Sequence, residues 1–298
     1  MSVLEVTGLY KSFGEIQAVD GLSFKVNQGD IYGLLGVNGS GKSTTIRLLL
    51  NLIRPDAGQI VISGKPVNNH NLTLRKKMGA LIERPDFYPY LTACKNLEIM
   101  LKYSRVRPER ARILEVLKLV GLEKFKDKKV KIFSQGMKQR LGIAQAMIHD
   151  PELIILDEPA NGLDPHGMVD IRNLLIRLNQ DYGKTIILSS HILREIEKIA
   201  NRMLIIHAGK AIAEGDVQEL IQTYESSVRM QVSDVNKALK ILKSGGFEHV
   251  TAKNDHEIIC HVKEHEVPEI NRILVKNQIN IMAIVPEKNL EDYFISLT

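Results

Sequence analysis

The sequence predicts an α/β fold, with a mainly parallel sheet flanked by helices and a small α+β domain after it. Short β-rich runs alternate with helical patterns from the N-terminus to about Tyr224, which is typical of strand–helix–strand units. One of these runs leads through a glycine-rich loop into a helical pattern. After Tyr224 the predicted order becomes β-α-β-β-α-β, which is typical of a ferredoxin-like accessory domain. We therefore predict two domains, over residues 1–224 and 225–298.

The first domain is predicted to begin with an antiparallel β subdomain. The strand patterns Val3–Val6 and Leu22–Val26 are joined without a helix between them. A wholly helical region follows later, with Thr92 as the predicted N-cap and Pro108 at a helix start. This region predicts a helical insertion within the sheet domain, over about residues 84–150.

The composition is ordinary for a globular protein. Of the 298 residues, 44% are hydrophobic and 25% are charged. Cys94 and Cys260 lie far apart and indicate neither a disulfide framework nor a metal site, so we expect a reducing cytoplasm. The first residues lack the pattern of a signal peptide, and no apolar run has the length of a membrane span. If the protein works at a membrane, we expect another chain to provide the spans.

The glycine-rich loop has the pattern of a phosphate-binding loop. It follows the apolar run Ile31–Leu35 and opens onto a predicted helix, which is the context that G-x-x-x-x-G-K-[ST] requires. Its glycines let backbone N–H groups turn towards phosphates, and the helix N-terminus adds partial positive charge. We expect Lys42 to reach the β- and γ-phosphates and Ser43 to ligate Mg²⁺. The predicted nucleotide-binding residues here are Gly36, Asn38, Gly39, Ser40, Gly41, Lys42, Ser43 and Thr44.

Two carboxylates follow a second apolar run. Leu153–Leu156 is wholly apolar, as expected of a strand buried on both faces, and Asp157 and Glu158 come directly after it. Open α/β sheets bind their ligands at the carboxyl ends of strands. We expect Asp157 to hold Mg²⁺, directly or through water, and Glu158 to act as the general base on the attacking water. These residues and the phosphate loop predict a P-loop NTPase.

A third motif indicates the class of NTPase. The stretch FSQGMKQRL, taken with the other two motifs, resembles the signature motif of ABC-type ATPases, usually written Leu-Ser-Gly-Gly-Gln. Ser134 and Gly136 are kept, whereas Phe133, Gln135 and Met137 depart from that pattern. In that family the signature binds a γ-phosphate across a head-to-tail dimer. The resemblance therefore implies that Ser134 and Gly136 bind ATP held by a second copy.

The resemblance extends through about the first 220 residues. It implies that Phe13 stacks on the adenine, that Asp164 lies in the loop at the dimer seam, and that His191 contacts the γ-phosphate. Glu83 stands where the family usually carries Gln, and a carboxylate there can ligate Mg²⁺ or orient water. In carrying Glu at this position, the chain resembles the ATPases of the bacitracin-resistance and lantibiotic-immunity subgroup. The ending over residues 290–294 also resembles that subgroup.

A proline-bounded loop is the expected contact with a partner. Phe87, Tyr88 and Tyr90 fall within four positions of it, and exposed aromatic residues are typical of protein interfaces. By the resemblance, the neighbouring insertion receives the coupling helix of a membrane permease. Packing of the loop onto its own insertion is the alternative.

The densest basic segment runs from Lys124 to Lys131, with five lysines and one aspartate, in a chain of net charge +5. Such a segment can face anionic lipid or nucleic acid. Because no aromatic stacking platform accompanies the lysines in the sequence, a solvated connecting face is favoured.

The sequence thus predicts the ATP-binding subunit of a bacterial ABC exporter. We expect a homodimer that binds ATP and Mg²⁺ beneath a separate polytopic permease, at the cytoplasmic face of the membrane and without a nucleic-acid partner. The resemblance makes export of, or immunity to, peptide antibiotics the expected role. The predicted catalytic residues are Glu158, His191, Lys42 and Glu83, and the predicted metal ligands are Ser43, Asp157 and Glu83.

Two other classes stay open at this point. One is a soluble ABC-type ATPase that acts on nucleic acid or the ribosome, against which the single cassette and the lack of heptads weigh. The other is a stand-alone P-loop GTPase or kinase. The chain has no Asn-Lys-x-Asp segment for reading guanine, and the signature stretch would be unexplained in such a protein.

Overall fold

The computed structural model describes residues 2–67, 72–104, 107, 109–223, 227–247, 249–262 and 264–287. The chain divides into two compact units, Met1–Gly215 and Asp216–Thr298. Three predicted features lie outside the described residues: the domain boundary at 224–225, Pro108 as a helix start, and the closing helix from Leu290.

The first unit begins with an antiparallel sheet, as predicted. Its strands extend further than the sequence patterns indicated, and β1 pairs antiparallel with both β2 and β4. The strand order is β2-β1-β4-β5, where the strands are β1 (Ser2–Phe13), β2 (Ile16–Asn27), β4 (Ala57–Ile62) and β5 (Lys65–Pro66).

A six-stranded sheet forms the centre of the first unit, in the order β10-β9-β3-β8-β7-β6. The pairs β3–β8, β3–β9, β6–β7 and β7–β8 are parallel, which confirms the predicted mainly parallel sheet. Strands β3 and β7 are buried at every position, which explains their continuous apolar sequences. The strands are β3 (Ile31–Leu35), β6 (Met78–Leu81), β7 (Leu153–Leu156), β8 (Thr185–Ser190), β9 (Arg202–His207) and β10 (Lys210–Asp216).

Helices cover the sheet and form the insertion. The helices of this unit are α1 (Lys42–Leu49), α2 (Ala93–Tyr103), α3 (Arg110–Leu119), α4 (Gln135–Met147), α5 (Pro165–Gln180) and α6 (Leu193–Glu197). Helix α1 shares one hydrophobic cluster with side chains of both sheets, so the phosphate loop that precedes it is fixed to the core. Thr92 accepts a hydrogen bond from the backbone of Lys95 and is the N-cap of α2, as predicted.

The second unit has the β-α-β-β-α-β order that the sequence predicts, after one additional helix, α7 (Val217–Thr223). Its sheet is antiparallel, in the order β12-β13-β11-β14, and its core is built from side chains of the sheet, α8 and α9. Burial raises the pKa of the Cys260 thiol to about 12, so this cysteine is protonated at neutral pH. The elements are β11 (Ser227–Val232), α8 (Val235–Ser244), β12 (Val250–Asn254), β13 (Glu257–His261), α9 (Val267–Lys276) and β14 (Ile281–Glu287).

The aromatic loop of the insertion is held by one buried amide side chain. Asn96 Oδ1 accepts from the Tyr88 N–H at 2.9 Å, and Nδ2 donates to the carbonyls of Tyr88 and Thr92. The loop divides its aromatic residues between core and solvent. Phe87 is buried, so the prediction of an exposed aromatic group is wrong for this residue, whereas Tyr88 and Tyr90 are exposed.

We expect Asn96→Ala to destabilise the first unit by about 1–3 kcal/mol, because it leaves the buried N–H of Tyr88 without its acceptor. Urea unfolding followed by circular dichroism measures this change. The control is Lys95→Ala, which removes an exposed side chain paired with Glu98 and should cost less than about 0.5 kcal/mol. Equal losses in the two variants would show that the amide does not anchor the loop.

Candidate functional site

Four parallel strands deliver the predicted residues to one edge of the sheet. Leu156 of β7 pairs with Leu81 of β6 on one side and with Leu188 of β8 on the other. The backbone N–H of Asp157 then donates to Leu81 at 2.8 Å, which continues the alignment beyond the strands. The residues that follow β3, β6, β7 and β8 are the phosphate loop 36–44, Glu83, the pair Asp157–Glu158, and His191.

The phosphate loop is closely packed against its supports. A Cβ atom on Gly36 would lie 2.3 Å from the carbonyl oxygen of Ile206, and one on Gly41 would lie 2.3 Å from that of Ala18. The backbone N–H of Gly209, in the turn between β9 and β10, donates to the carbonyl of Ser40 at 2.9 Å. Side chains at the two glycines would therefore push the loop off the sheet, which is why the motif needs glycine there.

The loop has the chemistry that a phosphate group requires. The Ser40 hydroxyl is buried and, within the part of the chain that the structure describes, has no hydrogen-bond partner. Lys42 Nζ donates to the carbonyls of Gly36 and Val37 at 2.8 and 3.2 Å. Burial lowers the pKa of Lys42, and the nearby carboxylates of Glu158 and Asp157 oppose that shift. A buried hydroxyl and a buried lysine in a glycine cradle fit an anionic ligand.

A serine that the sequence analysis missed holds both carboxylate residues. The Ser189 hydroxyl donates to Asp157 Oδ1 at 2.5 Å and accepts from the backbone N–H of Glu158 at 2.9 Å. Ser189 is fully buried at the end of β8, beside the end of β7. The signal in the sequence was a hydroxyl residue directly after an apolar run, two positions before His191.

Glu158 lies between two predicted catalytic groups. Its Oε2 atom is 2.7 Å from His191 Nδ1, and its Oε1 atom is 3.6 Å from Lys42 Nζ. The backbone of Glu158 has φ 49°, in the left-handed region that non-glycine residues rarely adopt. The geometry thus fixes a half-buried carboxylate beside the phosphate loop, as a general base for water attack requires.

Glu83 faces the same cavity, and its charge is balanced by an arginine. Ser43, Glu83, Asp157 and Glu158 line one open cavity of about 950 Å³, together with Arg84, Gln139 and Asn161. Glu83 Oε1 is 2.5 Å from Arg47 Nη2, and Arg47 lies on α1, the helix that begins in the phosphate loop. Arg47 was not among the predicted residues. It offsets the negative charge that Glu adds where the family usually carries Gln.

The predicted signature residues lie apart from that cavity. Ser134, Gly136 and Asp164 line a second open cavity, of about 840 Å³. Ser134 and Asp164 cap α4 and α5 through their side-chain oxygens. Within one copy of the chain, these residues therefore do not share a cavity with the phosphate loop.

Gln135, which departs from the signature pattern, contacts the segment after the Asp157–Glu158 pair. Its Nε2 atom donates to the carbonyl of Asn161 at 3.5 Å, and it lies 2.7 Å from where a Cβ atom on Gly162 would be. A larger residue at position 162 would displace this side chain. The signature helix and the segment over 161–164 are thus in direct contact.

Phe13, the predicted adenine platform, lies at the end of β1 and is half-exposed. Lys11 Nζ is 5.5 Å from the centroid of its ring. Phe13 is therefore not a core residue, and its stacking on adenine stays a prediction.

Among the described residues, no group of three or more His, Cys, Asp and Glu side chains is arranged to hold a metal ion by itself. Ser43 and Asp157 share the phosphate-loop cavity, which suits a cation that is also ligated by phosphate oxygens. None of the described helices combines the length and apolar character that crossing a bilayer demands.

Comparisons with known proteins show the family to which this chain is similar. Residues 19–161 match the family described as ABC transporter. The chain is similar to the bacitracin transport ATP-binding protein BcrA of Bacillus licheniformis, with 42% identity over 99% of this chain and 97% of that protein. It is also similar to the Nod factor export ATP-binding protein I of Burkholderia lata, with 34% identity over 99% of this chain and 96% of that protein.

Solved structures of similar fold cover about three quarters of the chain. The dimeric structure of MJ0796, a bacterial ABC transporter cassette, has a TM-score of 0.65 and 28% identity, over 72% of this chain and 98% of that one. A nucleotide-free ATP-binding cassette from an ABC transporter has a TM-score of 0.67 and 27% identity, over 75% and 94% of the two chains.

We expect Ser189→Ala to slow ATP hydrolysis by about 10- to 100-fold, because it removes a hydrogen bond to a charged carboxylate, of about 1.5–3 kcal/mol. Steady-state ATPase assays measure this loss, and a fluorescent nucleotide analogue reports binding separately. The matched control is Ser190→Ala, whose hydroxyl bonds to the backbone of Ile192 instead. If both alanine variants hydrolysed ATP at the unmodified rate, Ser189 would not position the carboxylates.

Proposed function

Because the chain belongs to the ATP-binding proteins of ABC transporters, an ATPase family that powers transport, we propose that it drives an exporter of peptide antibiotics. The observation that carries the proposal is the position of Glu158, between Lys42 of the phosphate loop and His191. A carboxylate held there can activate water beside a bound γ-phosphate. Peptide-antibiotic cargo is supported by the similarity to a bacitracin transport protein and by Glu83.

ATP is the proposed ligand of the phosphate-loop cavity. Backbone N–H groups of the loop and Lys42 would bind the phosphates, and Phe13 would contact the adenine ring. Mg²⁺, when bound, would neutralise the negative charge that develops on the phosphate oxygens. Ser43 and Asp157 would hold this ion, with Glu83 at the same cavity.

Hydrolysis in this proposal depends on the orientation of Glu158. Its carboxylate takes a proton from the attacking water, and His191 Nδ1 holds the other carboxylate oxygen in place. Lys42 supplies positive charge beside the group that leaves. Ser189 holds Asp157 and the backbone of Glu158 in fixed relative positions. The proposed metal ligand, Asp157, and the proposed base, Glu158, therefore stay aligned.

A second copy of the chain is the proposed partner at the nucleotide. The signature residues Ser134 and Gly136 lie in a separate cavity with Asp164, which supports a site completed by another copy. The similarity to a dimeric cassette structure supports the same arrangement. A polytopic permease is the second proposed partner, and the exposed Tyr88 and Tyr90 are its proposed contact on the insertion. The protein would therefore act at the cytoplasmic face of the membrane.

We expect Glu158→Gln to retain ATP binding and lose about 10²- to 10⁴-fold in turnover, the usual contribution of a general base. Without hydrolysis, ATP and Mg²⁺ should trap a complex of two copies. Light scattering after gel filtration measures its mass, and a phosphate-release assay measures turnover.

The control for this variant is Glu152→Gln, at an exposed pair with Lys77. It should hydrolyse ATP at the unmodified rate. Full turnover in Glu158→Gln would show that another residue acts as the general base. A trapped species with the mass of one copy would argue against the shared site.

A double-mutant cycle tests the pairing of Glu83 with Arg47. We expect Arg47→Gln to raise the KM for ATP by about two- to fivefold, because an exposed pair is worth up to about 1 kcal/mol and its loss leaves Glu83 uncompensated. Adding Glu83→Gln to that variant should recover most of the loss. Binding of a fluorescent ATP analogue and steady-state kinetics measure both effects. Additive effects would show that the two side chains act independently.

A further inference from the structure

The basic segment of the insertion forms an unpaired cationic surface. We define the lysine segment as residues 124–132. Of its five lysines, Lys124, Lys128, Lys129 and Lys131 are exposed, and Lys126 is half-buried. Within the described residues, none of the five takes part in an ion pair. The segment therefore presents positive charge to solvent, with Asp127 as its only internal acid.

Backbone hydrogen bonds fix the lysine segment beside the tyrosine loop, which we define as residues 88–92. Val130 N donates to Leu91 O at 2.9 Å, and Lys131 N donates to Pro89 O at 2.8 Å. An antiparallel bridge pairs Thr92 with Lys129. The paired residues lie about 40 positions apart in the chain, and no local pattern predicted their pairing. The lysines thus occupy a defined surface, next to the proposed permease contact.

Exposed apolar side chains lie among these lysines. Val130 is buried beneath the pair, whereas Tyr90 and Lys131 are exposed. Ile132 is 61% exposed and Phe125 is 39% exposed. Exposed apolar side chains, some from the segment itself and one from the tyrosine loop, therefore accompany the lysines.

We propose that the lysine segment binds the anionic headgroups of the membrane surface beside the permease. A lysine close to an anionic bilayer contributes about 1 kcal/mol of attraction. Ile132 and Phe125 are placed to enter the headgroup region, and tyrosine is favoured at that depth because its ring is apolar and its hydroxyl polar. The inference rests on the proposed function, which brings this face of the insertion to a membrane.

The same surface is poorly arranged for nucleic acid. Bases stack on open aromatic faces. The rings of Tyr88 and Tyr90 are tilted by 58°, with centroids 6.1 Å apart, and the Tyr88 hydroxyl bonds to Tyr103. The most exposed apolar side chain, Ile132, cannot stack on a base. Binding to anionic lipid headgroups requires only positive charge and shallow apolar contact.

Vesicle sedimentation of the purified full chain, without permease, tests the proposal. The probes are phosphatidylcholine vesicles with and without phosphatidylglycerol, at low and at high salt. We expect binding to the anionic vesicles only, and its loss at high salt because exposed charges are screened. Loss of one lysine should weaken vesicle binding by about fivefold. We therefore expect a loss of about a hundredfold in the variant that combines Lys128→Gln, Lys129→Gln and Lys131→Gln. Lys129 and Lys131 pair with the tyrosine loop, and Lys128 with Ala93, through backbone atoms, so the variant keeps that pairing.

The matched control removes equal charge from the second unit. Lys237→Gln, Lys240→Gln and Lys243→Gln combined, on exposed positions of α8, should change vesicle binding by less than about twofold. Equal losses in the two triple variants, or equal binding to neutral vesicles, would overturn the proposal. Tighter binding to a single-stranded oligonucleotide than to anionic vesicles would point to nucleic acid instead. A failure here would leave the ATPase proposal intact, because Glu158→Gln tests that one separately.

Discussion

The parallel register of β6, β7 and β8 is the constraint on which the site depends. It sets Leu81, Leu156 and Leu188 side by side, so the next residues of each strand emerge together at one edge. Strand β3 joins the same sheet and delivers the phosphate loop there. A shift of one residue between β7 and β8 would turn Asp157 away from Ser189 and break the shared hydrogen bonds. The relative positions of the site residues thus follow from the packing of a buried sheet.

Charge balance is the second theme of the site. Asp157 and Glu158 bring negative charge close to where phosphates would bind, and Lys42 lies beside Glu158. Glu83 adds one more carboxylate, and Arg47 pairs with it from the helix that begins in the phosphate loop. The cassette therefore keeps an acidic residue at a position usually occupied by an amide without leaving its charge uncompensated. The same ion pair connects the loop after β6 to α1, the helix that begins in the phosphate loop.

The helical insertion concentrates the features that face outward. Asn96 anchors the tyrosine loop, and the lysine segment pairs with that loop through its backbone. Signature residues begin α4 of the same insertion and line a cavity of their own. The first unit thus separates two sets of residues: the sheet edge carries the proposed hydrolytic groups, and the insertion carries the surfaces proposed to contact other molecules.

The sequence by itself determined the fold class, the phosphate loop, the Asp157–Glu158 pair and the positions of Glu83 and His191, because each follows a short apolar strand pattern that is local in the chain. Only the tertiary structure decided which side chains share the site with them. Ser189 and Arg47 act through contacts with residues more than 30 positions away, and their own surroundings in the sequence carry no sign of those contacts. Burial of Phe87 and the pairing of residues 89–92 with 129–131 likewise depend on how the helices of the insertion pack, which no local pattern encodes.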